Sequence, residues 1–235
     1  MNSWLNNIQS RLLPPTCIVC GGQGGKGVDL CPGCEKDLPW QQDACRRCAL
    51  PLHGTGAEVC GRCQNNPPSY DRAYSAFHYA HPLDRMIQSL KFHHKLTIAR
   101  LLGGIMAGNL AHHAQPRPEL IVPVPLHPAR LRERGYNQAL ELARPIARRL
   151  GIPIDFRSVQ RQRATPAQSD LPATDRHRNV KGAFTVALNF RARHVAIIDD
   201  VMTTGSTVEE LAVALRKTGV ETIEVWVCAR AALGR

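Results

Sequence analysis

Apolar and polar positions follow two different periods along the chain, and these periods predict strands and helices. Short apolar runs rich in β-branched residues are typical of buried strands, whereas longer stretches with apolar residues three and four apart are typical of helices. The runs predict strands at 72–79, 120–124, 195–198 and 222–228, and the stretches predict helices at 3–13, 83–92, 96–113, 136–150 and 207–217. Strands that alternate with helices indicate an α/β fold with a mostly parallel sheet flanked by helices.

Two segments lack such periodicity and indicate how the chain is divided. Residues 65–69 (Asn-Asn-Pro-Pro-Ser) are typical of a linker, which predicts a small N-terminal module at 1–66 and an α/β domain at 67–235. Residues 160–181 are dense in Arg, Gln, Thr, Ser and Pro, and predict a long mobile loop. Within the helix predicted at 136–150, Pro145 is expected to cause a kink, because an interior proline costs about 3 kcal/mol.

Length and composition exclude several classes of protein. The chain has 235 residues, 43% hydrophobic and 21% charged, which is enough apolar material for a buried core. It contains no apolar run of the ~18 residues that a membrane span requires, and it has no collagen or coiled-coil repeat. Residues 1–13 lack the basic and apolar regions of a signal peptide, so a cytoplasmic location is expected.

The net charge of +11 is concentrated in one part of the chain. Arginine supplies 24 of the 30 cationic side chains, and residues 121–194 carry 14 cationic against 5 acidic side chains. Because arginine forms planar, bidentate contacts with phosphate, this distribution favours an anionic partner, either nucleic acid or a phosphorylated metabolite. The alternative is a solvated basic surface without a ligand.

Eight of the nine cysteines form four Cys-x-x-Cys pairs. The pairs are Cys17/Cys20, Cys31/Cys34, Cys45/Cys48 and Cys60/Cys63, separated by 10, 10 and 11 residues. Two such pairs supply the four thiolates of a closed tetrahedral Zn²⁺ site, which has no open position for water and is therefore structural. The spacing predicts two structural zinc ions, without which this segment is not expected to fold.

Other interpretations of the cysteines are less favoured. A disulfide framework would need an oxidising compartment, and a thioredoxin-like pair would open a helix rather than recur four times. Sequence leaves open which pairs share a metal, although the near repeat from Cys17 to Cys45 favours neighbouring pairs and tandem ribbons. The ninth cysteine, Cys228, lies in an apolar strand and is expected to be a small buried hydrophobic residue.

The most informative chemistry lies in residues 195–207, where an apolar run ends in two acids. Asp199 and Asp200 follow the predicted strand, and open α/β sheets bind ligands beyond the carboxyl ends of their strands. The turn 203–207 (Thr-Thr-Gly-Ser-Thr) then leads into a predicted helix, whose first backbone N–H groups are suited to a phosphate. Two acids that can accept hydrogen bonds from sugar hydroxyls, next to a phosphate site, predict binding of a ribose 5-phosphate.

This segment resembles the phosphoribosyl pyrophosphate (PRPP) motif of type I phosphoribosyltransferases, and the whole chain resembles the ComF/GntX family within that group. Besides the cysteine-rich N-terminus and 195–207, the matching segments are Ile87-Gln-Ser-Leu-Lys91-Phe92, Val122-Pro-Val-Pro-Leu-His127, Arg134-Gly-Tyr-Asn-Gln138, Arg163-Ala-Thr-Pro-Ala-Gln168 and Arg176-His-Arg-Asn179-Val-Lys-Gly-Ala-Phe184. Each segment is weak alone, but their order is specific. One departure is His93-His94-Lys95, where the family has a glycine- and basic-rich turn.

The resemblance implies a double zinc ribbon, a phosphoribosyltransferase-like domain and a role for each part of the site. The ribose hydroxyls are expected on Asp199 and Asp200, and the 5-phosphate on Thr203, Thr204, Gly205, Ser206 and Thr207. The pyrophosphate, bridged by Mg²⁺, is expected on Leu126, His127 and Arg130. The loop 160–181 would close over the reacting centre. Candidates for transition-state stabilisation or for the lid are Arg130, Arg134 and Arg178.

Three functions are compatible with these features. The first is a transferase that moves phosphoribosyl to an unidentified nitrogen acceptor and releases pyrophosphate. The second is a non-catalytic protein that binds single-stranded DNA, because the resemblance links ComF-like proteins to natural competence and GntX-like ones to gluconate metabolism. The third is a PRPP sensor. The sequence leaves turnover, acceptor, pathway and oligomeric state open.

Overall fold

The protein is described here from a computed structural model that covers residues 14–25, 27–52, 54, 56–113, 116–163 and 181–232. The helix expected at 3–13, most of the loop expected at 160–181, and Arg178 lie outside these residues. Among the described residues, no helix has the length and apolar character needed to cross a membrane.

The elements of the described chain follow the alternating order that the sequence predicts. The helices are α1 (Pro32–Lys36), α2 (Gly61–Asn65), α3 (Leu83–Phe92), α4 (Leu96–His113), α5 (Pro128–Arg134), α6 (Gln138–Leu150) and α7 (Ser206–Arg216). The strands are β1 (Arg72–His78), β2 (Leu120–Pro123), β3 (Val159–Arg161), β4 (Phe184–Val186), β5 (His194–Met202) and β6 (Thr222–Arg230).

Four strands form one parallel sheet in the order β1-β6-β5-β2, which confirms the predicted fold class. Along β5, Ala196 and Ile198 pack with α3, α4 and α6, whereas Val195 and Ile197 pack with α7 on the opposite face. Successive side chains of a strand point to opposite faces, so a parallel strand covered on both sides is apolar at every position. This explains the continuous apolar run before the two acids.

Helix caps explain two elements beside the site. Asn137 caps α6 by accepting hydrogen bonds from the Ala139 and Leu140 N–H groups, so this helix begins at residue 138 rather than 136. The short helix α5, which the sequence interpretation had treated as a loop, begins with Pro128 and ends at Gly135 in the left-handed conformation (φ 78°). Proline at a helix start and glycine just past its end were the signals that could have revealed it.

Helices α4 and α6 pack closely where Gly103 faces Pro145. A Cβ atom on Gly103 would lie 2.4 Å from Pro145 Cγ and 2.6 Å from the Leu142 carbonyl oxygen. The helix α6 continues through Pro145 to residue 150. The proline ring that was expected only to disturb α6 therefore also forms its contact with α4.

Two strands differ from their predicted bounds in ways that matter for the site. The strand β5 continues to Met202, so Asp199 and Asp200 lie within it instead of following it; Asp199 is in register with Val227 of β6 and Val201 with Ala229. Residues 160 and 161, expected in a loop, belong to β3, which pairs antiparallel with β4. Both extensions depend on hydrogen bonds to a neighbouring strand, which local composition does not report.

Candidate functional site

Two adjacent acids end the sheet at its carboxyl edge. Asp200 is 3% exposed, and its Oδ1 accepts a hydrogen bond from the Val201 N–H at 2.8 Å. Asp199 Oδ1 accepts one from the Asp200 N–H at 2.9 Å. These backbone contacts fix the two carboxylates at the end of β5, where a ligand above the sheet edge can reach them.

A lysine that the sequence interpretation gave no role completes this acid pair. Lys91, in the last turn of α3, places its Nζ 2.6 Å from Asp200 Oδ2. Burial alone would lower the pKa of Lys91, but the Asp200 carboxylate raises it above its ordinary value. The matching segment 87–92 contained the only signal for this contact, since nothing local indicates that α3 ends at β5.

The surroundings of the acid pair oppose ionisation of Asp199. Burial raises the pKa of Asp199 well above its ordinary value, and the neighbouring Asp200 carboxylate raises it further. Lys91 opposes this shift only in part.

The turn 203–207 follows β5 and opens α7. Gly205 adopts the left-handed conformation (φ 85°) directly before the helix starts, and glycine adopts that backbone at little cost. Thr204 Oγ1 and Ser206 Oγ are 2.8 Å apart, and Thr204 Oγ1 also accepts a hydrogen bond from the Ser206 N–H. Buried hydroxyls thus hold the turn's shape, while Thr203 and Thr207 line the cavity in front of it.

A cavity of about 540 Å³ lies between the acids, the turn 203–207 and the end of α3. Arg130 and Arg134 of α5 line it together with Leu126. Arg134 donates to Gln138 Oε1 at 2.6 Å, and its guanidinium lies 5.7 Å from the centre of the exposed Phe92 ring. The cavity therefore combines carboxylates with guanidinium groups, which form planar, bidentate contacts with phosphate groups.

One further arginine, which sequence reasoning missed, reaches the same cavity. Arg161 lies at the end of β3, and its guanidinium is 5.7 Å from the centre of the Phe184 ring. Burial lowers the pKa of Arg161, and the nearby Asp199 carboxylate opposes that change. The sequence interpretation had placed residue 161 in the loop, so its position on a strand beside Asp199 had no local signal.

His127 has a structural contact instead of a place in the cavity wall. Its Nδ1 accepts a hydrogen bond from the Ala129 N–H at 3.3 Å and caps α5. Of the three residues expected at the pyrophosphate, Leu126 and Arg130 line the cavity and His127 orients the helix that carries Arg130. The expected candidate Arg178 lies outside the described residues.

The eight paired cysteines form two separate tetrads. The first tetrad is Cys17, Cys20, Cys31 and Cys34, and the second tetrad is Cys45, Cys48, Cys60 and Cys63; within each, all sulfurs lie within 4.8 Å of one another. Four sulfurs around one Zn²⁺ at ~2.3 Å are about 3.8 Å apart. The separations of 3.8 Å between Cys20 and Cys31 Sγ and 3.7 Å between Cys48 and Cys60 Sγ match this value. Both tetrads fit structural zinc, and neighbouring pairs share each site.

Two protein families match different parts of the chain. The double zinc ribbon domain matches residues 8–64, and the phosphoribosyl transferase domain matches residues 137–234. The first range contains both tetrads, and the second contains Asp199, Asp200 and the turn 203–207.

Similar proteins cover nearly the whole chain. It is 40% identical to competence protein F of Haemophilus influenzae over 223 residues, which cover 92% of this chain and 96% of the relative. It is 37% identical to the DNA utilization protein YhgH of Escherichia coli (strain K12) over 223 residues, 93% of this chain and 98% of the relative. A solved structure of glutamine PRPP amidotransferase from B. subtilis, complexed with ADP and GMP, is 17% identical and has a TM-score of 0.37. That match covers 55% of this chain and 26% of the other.

Proposed function

This chain belongs to the competence protein F family, and on that premise we propose that it binds PRPP with Mg²⁺ in the cavity beyond β5. One observation carries the proposal: Asp199, Asp200, Thr203 and Thr207 line the same cavity as Arg130 and Arg134. PRPP, which is ribose 5-phosphate with a diphosphate on C1, carries three groups that match these residues: a 5-phosphate, a 2′,3′-diol and a diphosphate.

Each part of the ligand has residues suited to it. Asp199 and Asp200 would accept hydrogen bonds from the ribose 2′- and 3′-hydroxyls, and the turn 203–207 would hold the 5-phosphate. The segment from Leu126 to Arg130 would hold the pyrophosphate. Bound Mg²⁺ would neutralise diphosphate charge. Lys91 would neutralise Asp200 until the ligand arrives.

We further propose that the bound ligand can react with a nitrogen acceptor. The C1–O bond to pyrophosphate would break as a C1–N bond forms, and the electron pair would leave with pyrophosphate. Arg130 and Arg134 would stabilise that departing charge, and Arg161 lies where it can assist from the side of Asp199. The role of the loop 160–181, with Arg178, as a lid that would exclude water stays a prediction, since most of that loop lies outside the described residues. Cytoplasmic location stays part of the proposal, since the tetrads need reduced thiols.

Phosphorus NMR tests binding and turnover separately. With Mg²⁺ and PRPP, the PRPP resonances should broaden or shift for the wild type but not for Asp199→Asn/Asp200→Asn. The matched control is Glu35→Gln/Asp37→Asn, which removes two exposed acids of residues 14–65, the segment that carries both tetrads and is named the zinc module. Pyrophosphate released faster by the wild type than by the acid-pair variant, in a panel of nucleobases and cell extract, would identify a transferase. Bound PRPP that is never consumed would instead favour a sensor, and absence of any wild-type response would overturn the proposal.

A second candidate function, binding of single-stranded DNA without catalysis, has its own support. The relatives' names refer to competence and DNA utilization, and α6 exposes Arg144, Arg148 and Arg149 on its outer face. Contacts of this kind are electrostatic, so affinity for a labelled oligothymidine should fall steeply between 50 and 200 mM salt. Replacing the three arginines by Gln should reduce the slope of log affinity against log salt by about 2. Affinity that does not change with salt would contradict this function.

A further inference from the structure

Arg230, the last residue of β6, is a buried arginine that connects the zinc module to the turn 203–207. Its side chain is 1% exposed. Nε donates to the Cys48 carbonyl at 2.9 Å, and Nη1 donates to the carbonyls of Met202, at 2.9 Å, and Thr203. Cys48 belongs to the second tetrad, whereas Met202 and Thr203 lead into the turn. One guanidinium therefore connects the second tetrad to the turn 203–207.

A second arginine makes a parallel connection from the zinc module. Arg62 lies between the ligand residues Cys60 and Cys63 on α2, and its Nη2 donates to the Thr204 carbonyl at 3.1 Å. A small cavity of about 110 Å³ separates the two arginines and is lined by Tyr70 and Gly205. The second tetrad thus reaches the turn beside this small cavity, which Thr204 and Gly205 line, whereas Thr203 and Thr207 line the larger cavity that contains the acids.

These bonds determine where the N–H groups of the turn point. In a trans peptide the C=O and the following N–H point in opposite directions. The arginines hold the carbonyls of Met202, Thr203 and Thr204 on the zinc-module side. The N–H groups of the next residues, 203, 204 and 205, are therefore directed away from the module. A phosphate site made of backbone N–H groups needs this orientation.

We propose that Arg62 and Arg230 are positioning residues through which the second tetrad shapes the turn 203–207 for a 5-phosphate. The inference rests on the proposed function, because it assigns the turn to that phosphate. Neither arginine touches the ligand in this arrangement. The hydrogen bond from Arg62 to the Thr204 carbonyl and that from Arg230 to the Cys48 carbonyl both involve the second tetrad. The inference therefore concerns that tetrad.

Binding of two partial ligands tests the proposal. Ribose 5-phosphate occupies the turn 203–207, whereas inorganic pyrophosphate with Mg²⁺ occupies the arginine side of the cavity. In Arg62→Ala, affinity for ribose 5-phosphate should fall about tenfold, the effect of one charge-assisted hydrogen bond, and affinity for pyrophosphate should stay within about twofold. Arg62→Lys keeps a donor and should restore part of the loss. If Arg230→Lys folds, it should also lose affinity for ribose 5-phosphate and keep its affinity for pyrophosphate. If it does not fold, the variants of the exposed Arg62 are sufficient for the test.

The matched control is Arg46→Ala. Arg46 lies in the chain between Cys45 and Cys48, two residues of the second tetrad. Its guanidinium pairs with the exposed Glu58 at 3.2 Å and not with the turn. Calorimetric titration and zinc content, with two ions per chain expected in every variant, complete the design. The inference alone would be overturned if Arg62→Ala bound ribose 5-phosphate as tightly as the wild type. It would also be overturned if Arg62→Ala lost affinity for both ligands to the same extent, or lost zinc. A wild type that binds neither ligand would overturn the proposed function as well.

Discussion

Lys91 Nζ lies 2.6 Å from Asp200 Oδ2, and this contact joins the end of α3 to the carboxyl end of β5. The lysine side chain is 24% exposed and the aspartate side chain 5% exposed, so the pair is largely shielded from solvent. Removing one partner of such a pair leaves a buried charge uncompensated, which costs more than the pair contributes when intact. The contact therefore matters for stability before any ligand is considered.

Lys91→Met should destabilise the ligand-free protein by about 3 kcal/mol, because the buried Asp200 side chain would lose its cationic partner. Urea unfolding at pH 7 measures this change. The double variant Lys91→Met/Asp200→Asn should recover part of the loss, since both charges are then absent. Lys95→Met, at an exposed position of the same region, should change stability by less than about 0.5 kcal/mol. Equal effects at positions 91 and 95 would contradict the structural contact.

The acid pair predicts that stability falls as pH rises. Burial, with the Asp200 carboxylate, raises the pKa of Asp199 from 3.8 to about 8, so the folded state holds a proton that the unfolded state releases. Between these two pKa values the folded state binds more protons, and stability decreases with pH. Asp199→Asn removes the penalty, and its gain over wild type should grow by about 3.5 kcal/mol from pH 5 to pH 8.

Thermal unfolding of the ligand-free protein at the two pH values tests this prediction for Asp199. The control is Asp37→Asn, which replaces an exposed acid far from β5 in sequence and is measured at the same two pH values. A gain for Asp199→Asn that is the same at pH 5 and pH 8 would show that Asp199 is fully ionised in the folded protein at both values.

Gly103 and Gly104 on α4 should respond oppositely to alanine. At Gly103 a new methyl group would meet Pro145 and the Leu142 carbonyl at 2.4 and 2.6 Å, so Gly103→Ala should cost about 2 kcal/mol. Gly104 has nothing within 4 Å, and Gly104→Ala should stabilise by ~0.5–1 kcal/mol through helix propensity. Urea titration of both variants checks the packing of α4 on α6; a stabilised Gly103→Ala would rule out that close contact.

The two tetrads should contribute unequally to stability. Cys63→Ser and Cys20→Ser should each leave one zinc ion per chain, since each removes a ligand from a different closed site. Cys63 is buried in a fully buried tetrad, whereas Cys20 is exposed. We therefore expect a larger drop in melting temperature for Cys63→Ser, by about 5 °C or more relative to Cys20→Ser. Zinc release with a colorimetric chelator and thermal unfolding measure the two quantities; a loss of both ions in either variant would contradict independent sites.

Local features of the sequence were sufficient for much of this protein. The apolar run 195–198 predicts a buried strand, and β5 packs against helices on both faces of the sheet. The spacing of the Cys-x-x-Cys pairs predicts two closed metal sites, since two thiolates three residues apart can reach one ion. The acids and the turn 203–207 are contiguous, so their association could be inferred from order alone. In each case the residues that act together are close in the chain.

The tertiary structure decided the relations between distant residues. Arginines are 24 of the 235 residues, and nothing local distinguishes Arg230, buried against Cys48 and Thr203, from an exposed arginine such as Arg46. Lys91 meets Asp200 only because α3 packs on the sheet so that its last turn reaches β5. The burial of a charged side chain and the identity of its partner determine what that side chain does. For Lys91 and Arg230, both depend on contacts between residues more than a hundred positions apart in sequence. Those contacts form only when the sheet and its helices pack together.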